Sequence, residues 1–518
     1  MPKGIDPQAL SRNLEAFLGG SRDAQVLEDG HAVFDLRQAS YSVSGEYGKC
    51  LVHFWSEERN SVRRVLECET RNGTLRMTVR RFGQAKPSHL EIVRGKEWRL
   101  PSARRAVRSR FEGVLQRVLA REFPSSTADR LRSTADLERT FSPVYARGIL
   151  RTAGCAFAVL GVNAAEPQSA IDGSLSFGLL WLEHCRRRLA PRTHVKGLKL
   201  FVPRGSSEVL RGRMAHTNRT LAQFELWEVD EQEGSCQNVD CEDRGNILTR
   251  LGHKVDEAAA RERLAPAIER VMHAAGALAG DVEVVVRSAA EISFRVRGLE
   301  FARARYGGGG RDLAWGGDGA EICFGAGAAA YRLEDANEGQ MRELLARIVR
   351  DRRPGGDYRS LFWRMHPESW LESLAAKELQ ALDSRLAAPV YSQVPAFSAG
   401  DRAMIDLLAA TRSGRLAVIE LKADEDLQLP IQGLDYWARV RWHHDRNEFE
   451  GFGYFSKLSP EPPMLFLVAP ALRLHPATDT LLRYISPDIE WMVIGVDERW
   501  REGIKIVFRK SRPESQAG

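Results

Sequence analysis

The spacing of hydrophobic positions changes several times along this chain, and each change marks a different kind of element. Pro7 to Leu18 repeats at helical spacing. The runs HAVFDL, KCLVHFW, RRVLECE, LRMTVRRF and HLEIV then alternate apolar and polar residues, predicting a small antiparallel sheet within residues 1–100. Across 101–235 the pattern predicts a helix at Ala103 to Phe123, strands around FAVLGV and LKLFVP, and a strand at QFELWEV. Residues 236–350 read as an α+β domain, with a helix at Ala258 to Leu278, strands DVEVVVR and EISFRVR, and a closing helix at Gly339 to Arg350. RDRRPGGDYRS (Arg350 to Ser360) is charged and rich in Gly and Pro, so 351–360 reads as a linker. A well-patterned α/β block fills 361–510, and 511–518 is expected to be a disordered tail.

Part of the pattern recurs. FAVLGVNAAEPQSAIDGSLSFGLLWLEHC (Phe157 to Cys185) aligns with LAVIELKADEDLQLPIQGLDYWARVRWHHD (Leu416 to Asp445), allowing a one-residue adjustment. Leu198 to Glu231 then has the same strand, helix, strand layout as Met464 to Glu498. The expected fold is a multidomain α/β chain with an N-terminal, mostly β domain and two copies of one α/β unit. In this alignment Gly161 and Asn163 stand where the later copy has Glu420 and Lys422.

Composition narrows the partners. A chain of 518 residues is too long for one core. Its 43% hydrophobic and 28% charged content excludes wholesale disorder. Lys and Arg total 75 against 69 Asp and Glu, a formal charge of +6, which permits a nucleic-acid partner without requiring one. Basic residues concentrate in Lys96 to Arg121, Cys185 to Lys199 and Arg347 to Ser360, each readable as a solvated face or a polyanion contact. The 7 scattered cysteines and the lack of an apolar leader fit a reduced, cytoplasmic protein, and no apolar run approaches the ~20 residues of a membrane span. Cys236 and Cys241 have no second Cys or His pair at zinc spacing. The loop YGGGGRDLAWGGDG lacks the Gly-Lys-Ser/Thr ending of a phosphate cradle and reads as a flexible connection.

The candidate chemistry lies in MIDLLAATRSGRLAVIELK, Met404 to Lys422. A turn at Arg412-Ser413-Gly414 sets Asp406 across from Glu420. Alternation then puts Asp406, Glu420 and Lys422 on one strand face, with Ile405, Leu407, Ile419 and Leu421 on the other. Two facing carboxylates repel, and a divalent cation would neutralise them. Mg²⁺ or Mn²⁺ suits such oxygen donors, and Lys422 could hold an attacking water and stabilise charge on a phosphate. Read alone, E-x-K on a strand is an ion pair on a solvated hairpin. Around it stand a helix with Glu368 and Glu372 upstream and a helix with Gln432 and Tyr436 on one face downstream. His443 and His444 read as a structural helix end, and Trp363, Trp370, Trp437 and Trp442 read as core or as base-stacking surfaces.

This order of helix with Glu, strand PVYSQVPAF, strand MIDLLA, strand LAVIELK and Q-x-x-x-Y helix resembles the PD-(D/E)XK nuclease superfamily, especially its RecB-like members. The resemblance covers residues 361–510 and implies a restriction-endonuclease-like α/β domain with a central mixed sheet, and Mg²⁺-dependent endonuclease cleavage of DNA. It makes Asp406 and Glu420 metal ligands, Lys422 the catalytic lysine, Glu368 or Glu372 an auxiliary acid, and Gln432 and Tyr436 substrate-positioning residues. The family's Pro before the Asp is replaced by Ile405. The middle copy, 101–235, would be a degenerate nuclease-like domain, and the N-terminal domains would serve substrate recognition, a protein partner or homo-oligomerisation. Two rival readings stand beside this one: a nucleic-acid-binding or assembly protein whose nuclease fold is silent, and a nuclease for RNA.

Overall fold

Alternating runs between Gln25 and Val93 pair into a seven-stranded antiparallel sheet. Its inward residues, such as Val52, Phe54, Val65 and Val79, are covered by Leu10, Leu14, Phe17 and Leu18 of the helix Pro7–Gly19. This is the β-rich start that alternation predicts. The computed structural model describes residues 7–512 except 22–23, 29–30, 37–38, 46–48, 56–59, 72–73, 81–86, 94–100, 135–140, 244–246, 248, 307–319, 327–329 and 399–401. The glycine-rich stretch 307–319 and most of the expected tail, 513–518, lie outside the described residues.

The chain divides into two units. The first comprises Met1–Leu248 with Ser398–Arg402 and Ala477–Pro487, and the second holds the remainder. Each contains a mixed sheet. In the first unit the order is Ser235–Val239, Gln223–Asp230, His194–Pro203, Cys155–Val162, Tyr145–Thr152 and Thr127–Ala128. In the second it is Thr249–Leu251, Leu386–Ser398, Arg402–Thr411, Leu416–Leu421, Met464–Pro470, Trp491–Val496 and Ile506–Ser511. Both sheets run from an antiparallel hairpin through two parallel steps to an antiparallel edge strand. A 16-residue helix follows each hairpin, Ser174–Leu189 in one and Leu429–His444 in the other. Shared strand order and shared crossovers make the repeat a property of the fold.

Ala477–Pro487 leaves the second mixed sheet between two of its strands and packs within the first unit. There Thr217 and Ile485 form an isolated antiparallel bridge, flanked by Asn218 N–H to Tyr484 O (2.7 Å) and Ser486 N–H to His216 O (2.9 Å). The Tyr484 hydroxyl donates to Glu183, and Arg483 pairs with the same carboxylate at 3.1 Å. Burial alone would raise the Glu183 carboxyl, but these donors outweigh it and hold it below its usual range.

The second unit also holds a five-stranded antiparallel meander from Glu283 to Arg332. Ile292, Phe294, Val296 and Phe301 on one face of it pack with Val271, Met341, Leu345 and Ile348. The helix expected over Ala258 to Leu278 breaks into Glu257–Arg263 and Ala265–Ala275, with Pro in the first turn of the latter. The segment read as a linker, 351–360, is mostly exposed but anchored at one residue. Arg352 is fully buried and donates to the carbonyl oxygens of Arg297 (3.0 Å), Phe362 (2.9 Å), Met365 and His366 (2.9 Å). Arg297 and His366 both have positive φ, 46° and 43°, so this guanidinium braces two backbone bends that L-residues adopt at a cost. Among the described residues no helix is long and apolar enough to cross a membrane. All seven cysteines are free thiols.

Candidate active site

The hairpin forms in the register its sequence dictates. Gly414 takes φ 86° in the turn, where a side chain would be strained. Leu407 pairs with Ile419 and Leu408 with Val418, and continuing that register brings Asp406 opposite Glu420. Asp406 Oδ2 accepts the Leu421 N–H at 2.9 Å, which fixes the carboxylate against the neighbouring strand. Leu407, Ile419 and Leu421 turn to the other face and pack with Leu371 and Ala375 of the helix Pro367–Lys377. Burying those three commits the polar set to the opposite face, because strand side chains alternate.

That face is closed as well. Glu420 is 1% exposed and Lys422 8%. Lys422 Nζ donates to Glu420 Oε1 at 3.0 Å. Burial pushes the Glu420 carboxyl well above its ordinary range, and the Asp406 charge adds to this while Lys422 opposes it. Burial likewise raises Asp406, against the pull of Lys422 and the Leu421 N–H. For Lys422 burial works downward, yet Glu420, Glu368 and Asp406 together raise it, so the side chain is an ammonium. Like charges about 4 Å apart repel by roughly 4 kcal/mol at an effective dielectric near 20. Were all of them ionised, one lysine would not balance this group of acids, and the raised carboxyls express that.

Glu420 Oε2 is buried and meets no donor among the described residues; the Asp406 carboxyl lies within hydrogen-bonding reach, but it is itself an acceptor unless the two share a proton. An orphaned, desolvated carboxylate oxygen beside a second carboxylate is an acceptor set that a hard cation satisfies. Asp406 and Glu420 thus fit Mg²⁺ or Mn²⁺ by donor chemistry. Among the described residues no group of three or more His, Cys, Asp or Glu side chains is arranged to hold a metal, so any ion here would draw its other ligands from water and substrate.

The two flanking helices add four residues. Gly433 lets the helix Leu429–His444 lie on the sheet, since a Cβ there would meet Leu467 Cδ2 at 2.6 Å. Tyr436 faces the acids and is raised by burial and then by the charges of Glu420 and Asp406, so its hydroxyl stays neutral. Gln432 Nε2 donates to it at 3.3 Å. On the acidic helix, Glu372 is buried and lifted to about 7 by burial and then by Asp406. Glu368 stays at the exposed rim, where its charge still reaches Lys422. All seven residues expected from the sequence thus belong to one neighbourhood. Gln393 is an addition: its Nε2 donates to Glu372 Oε2 at 2.7 Å from a backbone held at φ 54°, and nothing in the string SQVPAF signals this.

Other candidates are tied up elsewhere. His443 bonds Glu448 through Nδ1 and Thr249 through Nε2 (3.0 Å), and His444 Nε2 bonds the Ser459 carbonyl at 2.8 Å. Trp370 stacks edge-on with Trp363 and Trp500 in the core, and Trp437 donates to Pro463 O at 2.7 Å.

The first copy carries different chemistry at the same place, and its register corrects the alignment by one residue. Its turn is tighter, with Thr152 paired to Cys155, whereas Ala410 pairs with Leu416 around a longer turn. Counting from the turns, Arg147, Leu160 and Val162 occupy the positions of Asp406, Glu420 and Lys422. Gly161 points to the opposite face, where a Cβ would come within 2.5 Å of Leu115 Cδ2 in the helix Pro101–Glu122. Leu160 and Val162 are fully buried, and Arg147 donates to the Ser142 and Thr134 carbonyls beneath Phe141. This site contains no acid at the three positions. Comparison with known protein families, with curated proteins and with solved structures finds no match to this chain.

Proposed function

We propose that this chain is a metal-dependent endonuclease that hydrolyses phosphodiester bonds in DNA, with its centre on the hairpin of Asp406, Glu420 and Lys422. The observation that carries the reading is the buried Glu420 Oε2, which faces a second carboxyl and meets no donor, beside Asp406 and Lys422. A fold has no need of such a group, and the first copy builds the same hairpin without it. The order of strands and helices around the acids, including the Gln432–Tyr436 pair, supports a restriction-endonuclease-like domain of the PD-(D/E)XK type.

In this reading Asp406 and Glu420 hold a divalent cation. Bound there, it supplies Lewis acidity toward a phosphoryl oxygen and makes water more acidic. The Lys422 ammonium, already desolvated, offsets negative charge that develops on the phosphate during in-line attack. Glu372, fixed by Gln393, is the auxiliary acid, and Tyr436 orients the strand through its neutral hydroxyl.

Purified protein incubated with plasmid, linear and single-stranded DNA and with RNA, in Mg²⁺, Mn²⁺ or EDTA, tests this directly. Cleavage of DNA with either metal is expected, with none in EDTA. Lys422→Ala should lower the rate by ~10²–10³-fold with its far-UV circular dichroism retained. Equal cutting by wild type and Lys422→Ala, or cutting in EDTA, defeats the proposal. Preference for RNA would move the substrate class and leave the centre in place.

A further inference from the structure

The polar face of the five-stranded meander contains two arginines that the centre described above does not use. Arg287 lies at the end of the strand Glu283–Ser288, and Arg295 on its antiparallel neighbour Glu291–Val296. Arg295 spends only Nε, on Ser293 Oγ at 3.0 Å. Among the described residues Arg287 makes no hydrogen bond or ion pair, although it is only partly exposed. Other arginines of this face are matched: Arg303 pairs with Glu300 at 2.7 Å and Arg305 with Glu291 at 2.6 Å. Two guanidinium forks therefore remain open where their neighbours are closed.

Their position is fixed relative to the acids. The acidic helix Pro367–Lys377 is clamped to this meander by Ser373 Oγ to Glu283 (3.3 Å), by the Lys377–Glu283 pair, and by Arg352 on the His366 carbonyl at its start. Gly298 abuts the same helix so closely that a Cβ would fall 2.0 Å from Ser369 O. Through this clamp the charges of Arg287 and Arg295 act on Glu372, which in turn acts with Asp406. Burial, and then repulsion from Arg295, pushes Arg287 down to about 10, against the pull of the Glu300 and Glu372 charges.

We propose that Arg287 and Arg295 together hold a backbone phosphate of the nucleic-acid strand, one flanking the phosphodiester that is cut. An arginine fork matches two phosphate oxygens at once, and two forks on adjacent strands would fix the direction of the backbone as well as its distance from the acids. The inference rests on the nuclease reading and names a substrate contact made by a domain outside the 361–510 block.

The test measures binding of a labelled DNA duplex by fluorescence anisotropy in EDTA across a KCl series, followed by cleavage in Mg²⁺. Arg287→Gln and Arg295→Gln should each weaken binding about 3–10-fold and reduce the slope of log K against log salt by roughly 0.9. In cleavage each should raise KM more than it lowers kcat, and Arg287→Lys should recover part of the salt slope, since charge returns without the fork. Wild-type cleavage together with an unchanged salt slope in both Gln variants overturns this inference and leaves the nuclease reading intact, even if thermal stability falls. Wild type that neither binds nor cuts any nucleic acid overturns both.

Discussion

The two hairpins follow the same path and differ in what is set between sheet and helix. In Tyr145–Thr152 and Cys155–Val162 the three positions hold Arg147, Leu160 and Val162, and every charge there is answered by carbonyl oxygens and an aromatic face. In Arg402–Thr411 and Leu416–Leu421 they hold Asp406, Glu420 and Lys422, and one carboxylate oxygen is left unanswered. The first arrangement is what packing and hydrogen bonding select when stability alone is at stake. Against it, the second carries a buried electrostatic cost, and such costs concentrate at functional sites.

Exchanging residues between the hairpins should break this comparison most severely. Leu160→Glu puts an unpaired carboxylate into an apolar site and should cost about 3–5 kcal/mol, read from urea unfolding. The reciprocal double exchange Glu420→Leu/Lys422→Val, which removes the buried pair whole, should leave the stability of the metal-free protein unchanged or raise it by roughly 1–3 kcal/mol while abolishing cleavage. If the double exchange destabilises the protein as much as Leu160→Glu does, the pair is structural and the contrast between the copies collapses.

A smaller effect is expected at the excursion Ala477–Pro487. Glu183→Gln removes the acceptor of Tyr484 and Arg483 and should cost about 1–2 kcal/mol at pH 7. The folded-state carboxyl lies below its ordinary value, so its contribution is present above the unfolded pKa near ~4.3 and fades as pH falls through the folded value. The gap between the unfolding midpoints of wild type and variant should therefore narrow as the pH falls below ~4; a gap that stays constant assigns the loss to packing.

Gln393→Gly should be the mildest to the fold. It relieves about 1–2 kcal/mol of left-handed backbone strain but gives up a hydrogen bond worth about 1, leaving stability within ~1 kcal/mol of wild type. Cleavage should still fall several-fold if Glu372 needs its partner. Unchanged cleavage would remove Glu372 from the auxiliary role and return it to Glu368.

Much of the site was legible because strand alternation and turn length are local. The pairing of Asp406 with Glu420 follows from the glycine of the turn and the apolar residues on either side. The one-residue error in aligning the copies has the same local origin: FAVLGV matches LAVIEL by hydrophobicity, but one turn is shorter, and in a strand a single step exchanges the faces. Gly161 was thus matched to Glu420 when its place is that of Leu421. The packing of Arg352 was hidden because Pro, Gly and charge usually mark exposed chain, whereas here a guanidinium is buried by gathering carbonyls from two separate stretches, Arg297 and 362–366. Arg287 and Arg295 were invisible as a pair since their meaning depends on a helix some 80 residues later in the chain.

Ala477–Pro487 carries a consequence for how the molecule can be divided. The chain leaves the mixed sheet of the second unit after Met464–Pro470, completes the first unit with Leu481, Leu482 and Tyr484, and returns at Trp491–Val496. No single cut separates the two bodies. A fragment ending before the excursion lacks the last two strands of the acid-bearing sheet, and one that contains it without the first unit strips these buried side chains of their neighbours. The copy without the acids therefore cannot be removed without stripping Ala477–Pro487, a segment that lies between two strands of the acid-bearing sheet, of its packing.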